Sequence, residues 1–421
     1  SRGLGDVYKR QESDEVGLPA DIVDTASIVS YTGTVSLDRD LYVPGAIVYI
    51  TVWDPDENLD PEEAEVISYT EGKVTVESWW GGQRRDGPHR VTCIETGEDT
   101  STFEGKVYLQ FEAGEDNEGI PRLQVKSGAI IKVKYYDELD EWGREKVILA
   151  EARFQTHTGT LSLNSDFYPP CCTLHPNTGG TVRIEVVDPD LNVNPNSVDI
   201  YEAADQVLSL DVKDSEGNSR PNYPIWLRLI ETEADSGIFT AEHALSNVVE
   251  RNDLVEVSYQ DEYDESGNPR ETKACARVLT HTGTLSVDKS ETHLFTELTI
   301  TVTDPDWNFD REKIDVIPAG NVGDWSGVDV WSTTTGEAGG LQIELTETDV
   351  DTGVFEATII VGQTIQAAYG DTLTIRYNDE QDASGVGSRV KVEVAVKAYT
   401  GEVSLDKDCL LYTSDAADDG E

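Results

Sequence analysis

The sequence predicts an all-β chain of tandem sandwich domains, and three observations carry that prediction. A short phrase recurs as Tyr31-Thr-Gly-Thr-Val-Ser-Leu, His157-Thr-Gly-Thr-Leu-Ser-Leu, His281-Thr-Gly-Thr-Leu-Ser-Val and Tyr399-Thr-Gly-Glu-Val-Ser-Leu, at spacings of 126, 124 and 118 residues. A fixed period of domain size is the mark of a repeat architecture. Next, Val48-Tyr-Ile-Thr-Val-Trp53, Val182-Arg-Ile-Glu-Val-Val187 and Leu298-Thr-Ile-Thr-Val-Thr303 alternate with the period of two that suits a half-buried strand. Finally, no 3.6-residue apolar stripe competes with them.

A glycine stands 14 residues before each phrase (Gly17, Gly143, Gly267, Gly385) and gives a second landmark in the same register. The resulting division is 31–156, 157–280 and 281–398 as complete repeats, with 12–30 as the end of a preceding repeat and 399–408 as the start of a further one. In the third unit seven strands are predicted, at 283–288, 297–303, 328–332, 341–346, 354–360, 371–377 and 388–397. Seven short strands in about 120 residues match an immunoglobulin-like antiparallel β-sandwich. Because the seventh strand runs almost directly into the next phrase, such domains are expected to form a rod.

Each unit carries three acidic motifs, and each motif follows a strand. After the second strand come Asp54-Pro-Asp56-Glu-Asn58-Leu-Asp60, Asp188-Pro-Asp190-Leu-Asn192-Val-Asn194 and Asp304-Pro-Asp306-Trp-Asn308-Phe-Asp310. After the fourth come Glu95 with Asp99, Glu231 with Asp235, and Glu347 with Asp351. The last two pairs continue into Ser236-Gly237 and Thr352-Gly353; the first has Thr100-Ser101, so its turn is expected to differ. After the sixth strand come Asp137, Glu138 and Asp140, then Asp261, Glu262 and Asp264, then Asp379, Glu380 and Asp382. Successive antiparallel strands alternate direction, so the loops after strands two, four and six share one pole. That pole also lies where each repeat begins, facing the preceding domain. An extra strand within 62–73, 197–206 or 312–327 would reverse this count.

Each pole thus gathers nine side chains with ligand oxygens, most of them carboxylates, and mutual repulsion calls for a cation. Ca²⁺ takes six to eight hard oxygens in flexible geometry, whereas Mg²⁺ demands a stricter octahedron. The loops are not EF-hands, since they lack the glycine at the sixth place and the glutamate at the twelfth. Solvated acidic turns and general acidity for solubility at high salt stand as alternatives.

Composition excludes other classes. The chain carries 82 Asp+Glu against 32 Lys+Arg, a net charge of −50, which argues against nucleic-acid binding because that needs clustered cations. No apolar run is long enough to span a bilayer. There is no H-E-x-x-H, nucleophile elbow or phosphate loop, and a carboxylate cluster present in every repeat is not a unique active site, so no enzyme is expected. His157 and His281 align with Tyr31 and Tyr399 and are expected to be structural. Trp79, Trp80, Trp325 and Trp331 are expected in cores or contacts, with sugar platforms as the alternative. Cys93, Cys171, Cys172 and Cys275 show no metal-ligand spacing; isolated buried thiols, or a disulfide from Cys275 to one of the vicinal pair, are the open readings.

Residues 1–11 resemble an in-frame translation of a transposase-type sequencing adapter, and 409–421 open on Cys409-Leu-Leu-Tyr-Thr-Ser-Asp-Ala-Ala-Asp-Asp419, which resembles the reverse read of its companion. Discounting both flanks leaves the acidity in the protein itself. The motifs T-G-T-[VL]-S, D-P-D-x-N-x-[DN], E-T-x-x-D-[ST]-G-[VI]-F and Y-x-D-E-x-D resemble immunoglobulin-like Ca²⁺-binding repeats of large cell-surface proteins, particularly archaeal S-layer-type proteins. That resemblance, over residues 12–408, implies an extracellular, cation-stabilised surface-layer or fibre protein that assembles with further copies of itself or neighbouring repeats. Similar repeats also serve in adhesins that bind cell-surface glycans, and as passive spacers in large secreted enzymes.

Overall fold

The computed structural model describes residues 29–112, 119–171, 179–324 and 326–404. The expectations for 1–11 and 409–421, and for 12–28 and 405–408, fall outside the described residues. Regular structure among the described residues is strand plus short 3-10 turns, arranged as six sheets that pair into three sandwiches. Each sandwich has its own apolar cluster.

The third sandwich gives the plan. One sheet orders its strands Thr284–Val287, Glu297–Thr303, Val354–Ile360, Leu345–Glu347 and Val316–Ile317; the other orders Glu291–Thr292, Ser388–Val396, Thr372–Asp379, Gly327–Ser332 and Leu341–Ile343. Alternation explains which face turns inward: along Glu297–Thr303, Leu298, Ile300 and Val302 are buried, and their neighbours face out. The second sandwich repeats the plan, and the first adds Arg122–Gln124, parallel to Thr102–Gln110.

Three features differ from the predicted strands, the first being the additional two-residue Glu291–Thr292, parallel to Ser388–Val396. The strand expected at 341–346 is split: Leu341–Ile343 pairs with Gly327–Ser332, and Leu345–Glu347 pairs with Val354–Ile360. The chain crosses from one sheet to the other at Glu344, a change of partner that a continuous apolar pattern hides. An extra strand, Val316–Ile317, also occupies the segment where the direction count was vulnerable. It runs antiparallel to Leu345–Glu347 and therefore in the same sense as Gly327–Ser332. The later strands keep their direction, and the three acidic loops stay at one end.

Among the cysteines, Cys93 is buried, Cys171 is half-buried and Cys275 is exposed, all as free thiols. Cys275 corrects the buried-thiol reading and does not pair with Cys171. It falls on an outward position of Arg270–Val278, a strand whose Ala276 and Val278 face inward. Cys172 lies outside the described residues.

Candidate functional site: an acidic pole at the start of each repeat

The loop after the second strand is a single 3-10 turn, at Pro55–Glu57, Pro189–Leu191 and Pro305–Trp307. Its sequence explains it: proline opens the turn with φ preset, and the preceding aspartate caps it. Asp54, Asp188 and Asp304 each accept the amide of the second aspartate at 2.9 Å. That second aspartate reaches back to the chain entering the repeat. Asp56 accepts the Tyr31 amide at 2.9 Å, Asp190 that of His157 at 2.8 Å, and Asp306 that of His281 at 2.7 Å. In the last two repeats the histidine Nδ1 also lies 2.7 and 2.8 Å from the same carboxylate.

The fourth-strand loop joins this turn through a side-chain bond present in all three repeats. Asn58 donates to Asp99 at 3.0 Å, Asn192 to Asp235 at 2.9 Å and Asn308 to Asp351 at 2.9 Å. Glu95, Glu231 and Glu347 are inside the turn, where one carboxylate oxygen takes two successive amides: Thr100 and Ser101, Ser236 and Gly237, Thr352 and Gly353. The first repeat makes the same turn as the others, contrary to expectation. Ser101 adopts φ 54° where Gly237 and Gly353 have 62° and 60°, a left-handed conformation that costs a serine about 1 kcal/mol.

The sixth-strand motif completes the pole. Asp137, Asp261 and Asp379 each accept the amide of Gly33, Gly159 or Gly283 at 3.0 Å. Asp140, Asp264 and Asp382 cap their own turns, accepting for example Trp142 and Arg144 amides at 2.9 Å. Of the glutamates between them, Glu138 points outward beside Lys73, Glu262 is exposed and Glu380 is half-buried. The structure therefore brings all three loops to one pole, with Glu138 exposed beside Lys73 and Glu262 lining the same groove as Asp188, Asp190 and Asp261. Asp60, Asn194 and Asp310 stand at its rim, where each accepts the amide two residues on, at 3.1, 3.1 and 3.2 Å.

Sequence reasoning missed two sets of residues. Tyr135, Tyr259 and Tyr377 donate their buried hydroxyls to Asp54, Asp188 and Asp304, at 2.6 Å in the first two. Glu65, Asp199 and Asp315 accept the backbone amide of Asp60, Asn194 and Asp310. Their constant offset of eleven residues from the capping aspartate was the available signal.

Burial makes these carboxylates hard to ionise. It pushes Asp54 and Asp188 up to about 6, Asp304 to about 7 and Asp306 to about 8, and neighbouring carboxylates, Asp379 for the last two, add to the rise. Burial likewise raises Asp56, Asp190, Asp261 and Asp379. Asp310 behaves differently: burial opposes ionisation, but Lys313, the Glu312 amide and Arg183 hold it below the usual carboxylate range.

Arg183 belongs to the preceding sandwich, so the pole of the third repeat faces the second. Its guanidinium grips both oxygens of Asp310 at 3.0 Å, while the Thr181 amide donates to the Phe309 carbonyl at 2.6 Å. Phe167 packs on His281 with ring centroids 4.7 Å apart and lies under Arg311 at 4.8 Å. At the first junction Arg39 donates to the Val193 carbonyl at 2.6 Å, and Phe111 stacks on Tyr263 at 4.2 Å. Val193 and Phe309 are the same position of the repeated loop. Arg183→Ala is expected to leave both sandwiches folded and to uncouple them by about 1–3 kcal/mol, read as two separated calorimetric transitions. An unchanged single transition would contradict it.

The tryptophans lie half-buried on sheet faces, with Lys132 5.3 Å from Trp79, Arg85 5.9 Å from Trp80 and Arg376 5.0 Å from Trp331. Cations thus occupy ring faces that a sugar would need; Trp325 lies outside the described residues. Among the described residues no three Asp, Glu, His or Cys side chains already meet as a metal-ligating group, and no helix is long and apolar enough to cross a membrane.

No protein-family model matches the chain, and no curated protein does. Among solved structures it is similar to the adhesin FdeC of Escherichia coli, at 14% identity over 88% of this chain and 100% of that one, with a TM-score of 0.23. It is also similar to the FN1–FN3 domains of chicken CNTN1, at 8% identity over 88% and 100% with a TM-score of 0.21. For the Yersinia pseudotuberculosis adhesin InvE the identity is 15% over 56% and 59%, with a TM-score of 0.18. At such TM-scores these likenesses carry no argument about the site, and the fold rests on the strand pairing itself.

Proposed function

We propose that the chain is a non-catalytic, structural stretch of an extracellular surface-layer or fibre protein, in which sandwiches joined end to end form a stiff spacer and Ca²⁺ neutralises the acidic poles. The observation that carries this reading is the threefold recurrence of one network, in which the chain entering a repeat is tied to the loops after strands two and six. A catalytic centre needs one special constellation; a joint has to be repeated. Two junctions continue the network into the preceding sandwich.

The case for a cation is electrostatic. Carboxylates buried beside one another hold their protons in preference to charge, and a divalent ion relieves that penalty. The side-chain oxygens of Asn58, Asn192 and Asn308 are also buried without a hydrogen-bond partner in all three repeats. The fit is that of a counter-ion site rather than a ready chelate, because most carboxylate oxygens already accept an amide and each keeps only a remaining lone pair.

Calorimetry and small-angle scattering in Ca²⁺ and in EDTA test the reading. Ca²⁺ is expected to raise Tm by mass action and to keep a maximum dimension on the order of 120 Å for three sandwiches, judged from strand length plus loops. EDTA should lower Tm and let the chain bend, as small polar interdomain contacts allow. Equal melting in both, or equal rescue by any salt, would replace the cation with general acidity.

A further inference from the structure

The charge of this chain is unevenly spread, and one surface carries the opposite sign. In the first sandwich the outer face of the sheet built from Lys146–Phe154, Ala129–Asp137, Val74–Trp80 and Gln83–Arg90 holds five bases, Arg84, Arg90, Lys132, Lys134 and Arg153, against two acids, Glu77 and Glu151. Strand alternation puts them there. The register sets Arg153, Ile130, Trp79 and Arg84 in one row, Glu151, Lys132 and Glu77 in the next, and Leu149, Lys134, Thr75 and Arg90 in a third. Both acids are already neutralised: Glu77 is buried beside Lys134 at 2.7 Å and Arg84 at 3.5 Å, and Glu151 meets Lys132 at 2.5 Å. Over the same four strands the second sandwich balances Lys213, Lys273 and Arg277 with Asp211, Glu256 and Glu271, and the third sets Arg376, Arg389 and Lys391 against Asp329 and Glu393. The large surplus belongs to the first.

Apolar side chains sit among those bases. Ile130, Tyr136, Leu149 and Val147 occupy outward positions of the same sheet and are 37–56% exposed. Bases alone would suit any polyanion, but a hydrated polymer gains nothing from exposed Ile, Leu and Val, whereas a protein surface does. The chain is itself such an acidic protein, with 82 Asp+Glu against 32 Lys+Arg. Two copies at −50 each repel across most of their surfaces, so an attractive contact between them needs a place of reversed sign. This face is such a place.

We propose that the outer sheet face of the first sandwich docks side by side on an acidic surface of a second copy of the chain. This rests on the reading of the chain as a structural stretch, and adds a lateral contact to the end-to-end joints. A basic patch on one copy meets a different, acidic patch on the next, so the contact is heterologous and propagates into arrays or rings rather than stopping at a two-fold dimer. Four strands about 4.8 Å apart and about eight residues long present on the order of 500 Å² per copy, the low end for a specific interface. Each contact is therefore weak and gains strength by repetition along the rod.

Sedimentation velocity on the intact chain in EDTA, which removes divalent bridging, is expected to show association growing with concentration at low ionic strength. In half-molar NaCl it should fall by about tenfold or more, since screening there acts within a few ångströms. Arg153→Glu should weaken association by about tenfold or more and Leu149→Ser by severalfold. Both positions are exposed, so Tm should not move. Lys106→Glu, the same charge change at an exposed position of the opposite sheet, should leave association unchanged. Carbodiimide coupling of mixed isotopically light and heavy chains should join Lys132 or Lys134 to a carboxylate of the other copy. A monomer at every concentration in low salt, equal weakening by Lys106→Glu, or coupling confined within one chain overturns the proposal. Association that strengthens with salt would be apolar contact elsewhere, and a monomer held by dextran sulfate through Arg153 would assign the face to an anionic polymer; either overturns it too. The Tm and scattering comparison in Ca²⁺ and EDTA does not depend on these outcomes, so the two readings fail separately.

Discussion

Gly283→Ala is expected to destabilise the third sandwich by about 3 kcal/mol or more, enough to unfold a marginal domain. A methyl group there would lie 2.4 Å from Tyr377 Cε1 and 2.5 Å from Asp304 Oδ2, both buried and bonded to each other. Neither neighbour can retreat without breaking the capping of the 3-10 turn. Gly33 and Gly159 meet the equivalent tyrosine and aspartate at 2.4–2.7 Å, so Gly33→Ala and Gly159→Ala should do the same to their own repeats. Denaturant melts of each variant check this; a loss under about 1 kcal/mol would mean that the pole relaxes freely.

In EDTA, raising the pH from 5 to 9 should lower the Tm of the third sandwich more than that of the second. Asp304 and Asp306 have folded-state pKa values of about 7 and 8 against an ordinary value of 3.8. A carboxylate raised in the folded state contributes stability that is complete below its unfolded pKa and is lost as pH climbs through the folded one. In the second repeat Asp188 sits at about 6, so its share is lost lower in the range. Allowing for coupling between the two aspartates, the loss in the third sandwich is on the order of 2–3 kcal/mol, or about 10 °C in Tm. Ca²⁺ at pH 9 should restore it, because the ion replaces the proton. A Tm independent of pH across this window would mean that the pole ionises without cost.

Much of this molecule is written in local pattern. The alternation in Glu297–Thr303 and the Asp-Pro-Asp turn are set by residues two to four apart, and the Thr-Gly phrase recurs as a contiguous string; such signals survive in a bare sequence. Even the convergence of the loops follows from counting strand directions. The split at Glu344 and the two-residue strands did not follow, since a strand that short has no period to detect and a change of partner sheet leaves no mark on alternation.

The sequence by itself determined an all-β repeat chain with three acidic loops per repeat, because backbone preference and strand alternation are local. Tertiary structure alone decided what those acids do. Tyr377 meets Asp304 across 73 residues, and Arg183 meets Asp310 across 127. Which oxygens take an amide and which remain beside one another depend on sheet pairing and domain docking. These bring together groups whose separation along the chain is too great for any local pattern to encode.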